Sequence, residues 1–251
     1  MDLQLTGARA IVTGGSSGLG LAVARGLVAE GARVALAARD PQRLRAAAEG
    51  LPGTVLAFPT DTTDDAAVRS LVTGVVAAWG GVDVLVNAAA APSAGAPPTL
   101  ADLTDAEVHR DLDTKVLGYL RCARAVAPHM IAQGCGRIVN VSGLNARRTG
   151  SIPGTVRNVA VAALTANLAD ELGPSGVGVT VVHPGLVETP GLVARLTDEM
   201  RAELAATTSL HRLVTPDEVA AVVVFLCSPR AAGVTGDAVT VAGGNRGAVH
   251  Y

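Results

Sequence analysis

Aromatic side chains make up only 2% of the 251 residues. The 49% of the chain that is hydrophobic is therefore mostly alanine, valine and leucine, small side chains that suit helices packed closely on a parallel sheet. Cysteine is scarce as well. Cys122, Cys135 and Cys227 are odd in number and show no C-x-x-C spacing, which argues against a disulfide framework or a cysteine metal site. The expectation is a reduced, cytoplasmic protein with three small core thiols and no metal. The formal charge is −2, and the one basic pair in view, Arg147-Arg148, is too short to matter. Nucleic acid and anionic membrane are thus not expected as partners. Met1-Asp2-Leu3-Gln4 lacks the basic and apolar regions of a signal peptide, and the apolar run from Val219 to Cys227 is too short to span a bilayer. No low-complexity linker divides the chain, so one α/β domain over residues 1–251 is expected.

What the chain does have is Thr13-Gly14-Gly15-Ser16-Ser17-Gly18-Leu19-Gly20 directly after the apolar run Ala10-Ile11-Val12. This reads as a strand, a glycine turn and a helix start. Gly14 and Gly18 let backbone approach a bulky anion, Gly20 lets the helix pack tightly, and a pyrophosphate sits naturally on the helix N-terminus. The alternation continues. Helices are expected from Leu21 to Glu30, from Asp40-Pro41 to Glu49, from Asp64 to Trp79, in one long stretch from Asp105 to Gln133, from Gly154 to Leu172, and from Pro216 to Cys227. Strands are expected at Arg33–Ala38, Val55–Phe58, Val82–Val86, Arg137–Val141 and Gly178–His183. Such β-α repetition with buried strands means a doubly wound parallel sheet. Ligands bind beyond the carboxyl ends of its strands, so the loops after Val12, Ala38, Phe58, Val86, Val141 and Val182 matter most. Leu186 to Leu210, mostly apolar with scattered charges, is expected to cover the pocket.

Several ordered motifs resemble the classical short-chain dehydrogenase/reductase family over nearly the whole chain. Thr13-Gly14-x-x-x-Gly18-x-Gly20 is similar to its cofactor turn, and Leu85-Val86-Asn87-Ala88-Ala89-Ala90 to its Asn-Asn-Ala-Gly element. Pro184-Gly185 with Val187 and Thr189 resembles the nicotinamide-side loop. The stretch His211 to Ala220, then Val234-Thr235-Gly236 and Gly243-Gly244, completes the pattern. The resemblance implies a Rossmann-type fold and a nicotinamide cofactor held by Gly14, Ser16, Ser17, Gly18, Leu19 and Gly20. It also implies that Asp61 lies at the adenine and Asn87 at the adenosine ribose, with Thr62 and Ala88 likewise in the cofactor site. A turn-capping Asp61 is the competing reading. Ala38-Arg39 stands where users of NAD place an acid, so NADP(H) is favoured over NAD(H), with Arg39 on the 2′-phosphate. The alternative is an arginine paired with Asp40. The resemblance further implies a homo-oligomer, most simply a tetramer, built on the 105–133 and 154–172 helices and on the strand Ala238–Val241.

The same resemblance implies an Asn-Ser-Tyr-Lys set for catalysis, and here the chain departs from it. The asparagine position holds Lys115, the serine position Gly143, the tyrosine position Gly154 and the lysine position Asn158. A second register offers Val156 and Ala160 instead. Ser142, beside Gly143, is expected on the opposite face of its strand. Tyr119, one turn after Lys115, and Tyr251 are the only tyrosines. The removal of side chains at 143 and 154 reads as room for a larger ligand or as disuse. Three readings stay open for this small-molecule site: an enzyme of unusual, even redox-neutral mechanism; a catalytically silent binding or scaffold subunit; or an oxidoreductase whose missing groups are replaced by Lys115, Asn158, Thr155, His183 or the substrate itself.

Overall fold

The computed structural model describes residues 1–90 and 98–246; Tyr251 lies outside them. Seven strands, β1 (Arg9–Thr13), β2 (Arg33–Ala38), β3 (Val55–Pro59), β4 (Val84–Asn87), β5 (Gly136–Val141), β6 (Val177–Pro184) and β7 (Ala238–Val241), form one sheet. Its order is β3-β2-β1-β4-β5-β6-β7, and every pairing is parallel. The chain winds outward from β1 to β3, then returns to the other side of β1 to continue through β4. The direction of winding reverses between β1 and β4, and that is where a doubly wound sheet opens a crevice.

The helices are α1 (Gly18–Ala29), α2 (Pro41–Glu49), α3 (Asp65–Trp79), α4 (Asp105–Leu112), α5 (Gly118–Gln133), α6 (Ile152–Leu172), α7 (Pro190–Val193), α8 (Asp198–Ala206) and α9 (Pro216–Cys227). They cover both faces. Ala10 and Val12 of β1 point to the side of Val23 and Leu27 of α1 and Val223 of α9. Ile11 points to the other side, where Leu71 of α3 and Val126 and Met130 of α5 close the second core. That alternation is the period of two that a pleated strand imposes. Among the described residues, no helix is long and apolar enough to cross a membrane.

The structure corrects two expectations. The stretch 105–133 is not one α-helix: a π-helical turn at Asp113–Leu117 separates α4 from α5. An extra residue in that turn rotates α5 relative to α4, and Lys115 is buried there. Second, Cys122 and Cys227 are buried but Cys135 is exposed, so only two thiols belong to the core. Burial pushes the Cys122 thiol up to about 12. The segment after β6 is built as α7 and α8, each N-capped by a threonine, Thr189 and Thr197.

Candidate functional site

A cleft of about 620 Å³ opens at the carboxyl end of β1. Gly14, Ser16, Ser17, Leu19 and Gly20 form its floor, Ala38, Arg39, Asp40 and Arg43 one wall, Thr60, Asp61 and Thr62 another, and Ala88, Ala89, Ala90 and Thr114 the rest. The floor is shaped by backbone. Gly14 has φ 68°, and a Cβ there would lie 2.8 Å from the Ala88 carbonyl oxygen. Gly14 is thus required by its approach to the end of β4. At Gly20 a Cβ would overlap the Gly14 carbonyl oxygen, so this glycine closes the turn on itself rather than packing α1 on the sheet. Thr13 Oγ1 locks the arrangement by accepting from Ala88 N at 3.1 Å and Ala89 N at 3.3 Å. Ser17 caps α1 without a side-chain hydrogen bond, and no acidic residue stands in the first turn. The amide donors of that turn therefore face the cleft with no protein anion to meet them. Backbone glycines, uncapped amides and two guanidinium groups form a donor set that fits a dinucleotide.

Asp40 caps α2 by accepting from Gln42 N and Arg43 N, both at 3.0 Å, so it is not spent on Arg39. Neither Arg39 nor Arg43 takes part in an ion pair among the described residues. Sequence reasoning missed Arg43; its signal was a place in the first turn of the helix that Asp40-Pro41 opens. Asp61 caps its turn and also borders the cleft. Its Oδ1 accepts from Thr63 N and Thr63 Oγ1 at 3.0 and 2.9 Å, and it still lines the cleft.

Asn87 behaves otherwise. It is 0% exposed, and its Nδ2 donates to Asn140 Oδ1 at 3.0 Å. Register sets Asn87 opposite Asn140 across β4 and β5, and Asn140 donates onward to Thr165 Oγ1 at 2.9 Å. The Asn87 amide nitrogen is thus used inside the sheet, while Oδ1 is buried without a partner among the described residues. Gly185 N donates to Val241 O at 3.0 Å, and Glu188 N to Val214 O at 2.9 Å; Val187 bridges to Val214. Pro184, Gly185, Val187 and Thr189 are therefore pinned beside the floor rather than within the cleft lining. A Cβ at Gly18 would touch the Thr189 methyl at 3.6 Å, so this loop closes back over the glycine turn.

Beyond the floor lies a buried polar centre. Lys115, 6% exposed, donates from Nζ to Ser142 O at 2.7 Å and to Asn158 Oδ1 at 3.1 Å. Ser142 Oγ donates to Asn158 O at 3.0 Å, tying the end of β5 to α6. Burial first, and the Arg157 charge second, bring the Lys115 amine down to about 7, with Asp111 opposing. Arg157 and Asp111 are themselves paired at 2.5 Å. Gly143 and Gly154 do not leave open space. A Cβ at Gly143 would lie 2.8 Å from Asn158 Nδ2, and one at Gly154 would lie 2.6 Å from Ser151 Oγ and 3.4 Å from Asn145 Nδ2. Neighbouring polar groups stand at both places, which corrects the reading of added room and adds Asn145 and Ser151 to the site.

The other candidates are placed less favourably. Tyr119 is buried, and its hydroxyl donates to Val141 O at 2.9 Å; burial drives that hydroxyl far above its ordinary range. Tyr119 is a packing residue. Tyr119→Phe is expected to cost about 1 kcal/mol of stability, read as a few degrees in Tm, and to leave any turnover unchanged. Thr155 is half-buried, and its side chain makes no hydrogen bond among the described residues. His183 is buried with Nδ1 unpartnered. Burial, helped by the Arg147 and Lys115 charges and opposed by Asp237, holds its imidazole down at about 4. A histidine that stays neutral near pH 7 has no imidazolium proton to give.

A sheet wound in this order, with the cleft at its switch point, defines a dinucleotide-binding class. A family profile described as enoyl-(acyl carrier protein) reductase matches residues 14–246. The short-chain reductase protein NovJ of Streptomyces niveus is 37% identical over 245 residues, covering 94% of this chain and 92% of that protein. The 3-alpha-(or 20-beta)-hydroxysteroid dehydrogenase of Mycobacterium tuberculosis is 36% identical, covering 97% and 91%. Among solved structures, L-sorbose reductase from Gluconobacter frateurii, complexed with NADPH and L-sorbose, superposes with a TM-score of 0.89 at 30% identity, covering 99% and 100%. A 7α-hydroxysteroid dehydrogenase complexed with NADH gives 0.91 at 28% identity, covering 97% and 96%. The chain belongs to the short-chain dehydrogenase/reductase family.

Proposed function

We propose that this protein is an NADP(H)-dependent oxidoreductase of a small carbonyl or hydroxyl compound, with its proton-handling centre rebuilt on Lys115 and Asn158. The observation that carries the reading is the cleft: an intact glycine floor at the switch point, faced by Arg39 and Arg43, with no acid at the end of β2. Gly14, Ser16, Ser17, Gly18, Leu19 and Gly20 would hold the pyrophosphate, Arg39 and Arg43 the 2′-phosphate, Asp61 and Thr62 the adenine side, and Ala88 the ribose. The Pro184–Thr189 loop would close on the nicotinamide, which supplies or accepts a hydride when bound. NADPH and NADH both occur in the related structures, so the preference rests on the two arginines. The compounds named for the relatives, L-sorbose and hydroxysteroids, support the carbonyl or alcohol class but do not choose within it. α7 and α8 would cover the substrate.

A second reading, a silent binding subunit, draws on one observation: no tyrosine hydroxyl among the described residues faces the centre, and Asn158, Ser151 and Asn145 fill the places that side chains at Gly143 and Gly154 would take. NADPH oxidation followed against a panel of aliphatic, cyclic and thioester ketones separates the two. Turnover of at least one ketone is expected; NADPH binding without turnover of any would favour the silent subunit. We further propose a homo-oligomer, a tetramer in the simplest case. α6 exposes Ile152, Val156 and Val159 at 51%, 46% and 47%, and β7 is an unpaired sheet edge. Light scattering is expected to give a mass near four times 25.1 kDa; a 25.1 kDa species at micromolar concentration would refute the assembly.

A further inference from the structure

Of the 20 lysine and arginine residues in this chain, Lys115 is the single lysine. Every other basic position carries a guanidinium, which keeps its proton throughout the working range. The one amine side chain able to give up a proton lies in the π-helical turn, buried, on the polar centre beyond the cofactor cleft. Resting on the oxidoreductase reading, we propose that Lys115 is the group that delivers the proton to the substrate oxygen in reduction and removes it in oxidation.

The geometry supports this in three ways. Nζ has two acceptors in reach, Ser142 O and Asn158 Oδ1, and these satisfy the two N–H bonds of a neutral amine. The ammonium form carries a third N–H, and no carboxylate among the described residues pairs with Lys115. A developing alkoxide would be its acceptor. Second, Lys115 holds Asn158 by its Oδ1, which turns Nδ2 toward Gly143, 2.8 Å from where a Cβ of that residue would be. An amide donor therefore stands beside the position that the family resemblance assigns to a carbonyl-polarising serine, next to the proposed proton donor. Third, burial and the charges facing Lys115 leave its proton loosely held. Arg157 on α6 opposes the ammonium, Asp111 on α4 supports it but is already paired with Arg157, and His183 on β6 is neutral. Burial first and Arg157 second hold the amine at about 7, where both protonation states are populated.

The step balances. The carbonyl carbon accepts its hydride, the C=O π pair moves to oxygen, and the Nζ–H bond breaks as the O–H bond forms. Lys115 is left as a neutral amine and regains its proton from water. In the reverse direction the neutral amine takes the hydroxyl proton as the carbinol carbon gives up its hydride to the oxidised cofactor.

A protein with one lysine allows an unambiguous test. Incorporating lysine labelled with ¹³C at Cε gives one resonance, whose pH titration in the full chain, with and without NADPH, reads the amine without any turnover. The expected midpoint is about 7, against the ordinary 10.5. With the ketone from the panel that is reduced fastest, the reduction rate should be highest below pH 7 and fall as pH rises through the midpoint, because reduction needs the ammonium. Oxidation of the matching alcohol should rise through the same midpoint. Lys115→Arg keeps charge and donors but cannot release a proton; turnover should fall at least about 10²-fold while NADPH affinity stays within a few-fold. A merely structural lysine would leave both pH profiles unmoved. A midpoint near 10.5, or a Lys115→Arg variant as active as the parent, overturns the proton step alone. NADPH binding with no turnover of any ketone overturns the oxidoreductase reading and the proton step with it.

Discussion

Gly20→Val is expected to abolish dinucleotide binding while leaving the sheet folded. A Cβ at this position overlaps the Gly14 carbonyl oxygen, which is backbone, so no rotamer change relieves the clash. The turn must open, and with it goes the convergence of the amides of the first turn of α1 on one anion. Overpacking of this kind costs up to about 3 kcal/mol, which corresponds to about 10²-fold in affinity before the lost hydrogen bonds are added. Calorimetric titration with NADPH, alongside circular dichroism to check the fold, measures it. An affinity within tenfold of the parent would show that the floor of the cleft does not hold the pyrophosphate.

The double variant Arg39→Ala/Arg43→Ala is expected to lose about 10²-fold in NADPH affinity, at roughly tenfold for each charge-assisted contact with an exposed phosphate. NADH affinity should change little. Both side chains are exposed at the mouth of the cleft, and neither is occupied by an ion pair, so their removal leaves no buried partner stranded. The loss is also salt-dependent, because exposed charges are screened. Equal losses for the two cofactors would move these arginines away from the 2′-phosphate. No loss for either would leave both arginines as solvated surface charges.

Much of this site was legible in the sequence because its signals are local. A strand, a glycine turn and a helix start are adjacent in the chain, and Asp40-Pro41 announces its helix through a cap whose donors lie two and three residues away. What stayed hidden depends on neighbours distant in sequence. Asn87 ends an apolar strand at the ligand edge, and that strand alone cannot show that register places Asn140 beside it. The bare positions Gly143 and Gly154 read as space because nothing local reveals that Asn158, Ser151 and Asn145 occupy it. The exchanged residue types at 115 and 158 were visible, but their 3.1 Å hydrogen bond needs the π-helical turn. Residues 113–117 carry no propensity signal for that turn; it is one extra residue accommodated by packing.

On the function proposed, an intact cofactor cleft serves chemistry carried out without a tyrosine. The most direct test of that function is a single-turnover reaction of the wild-type protein with NADPH deuterated at the transferable C4 position and the ketone panel, the products being read by mass spectrometry. One deuterium is expected on the carbinol carbon of at least one product, and Lys115→Arg, which still binds NADPH, is expected to give a yield lower by about 10²-fold. NADPH bound at one per chain, with deuterium transferred to none of the ketones, would contradict the function proposed.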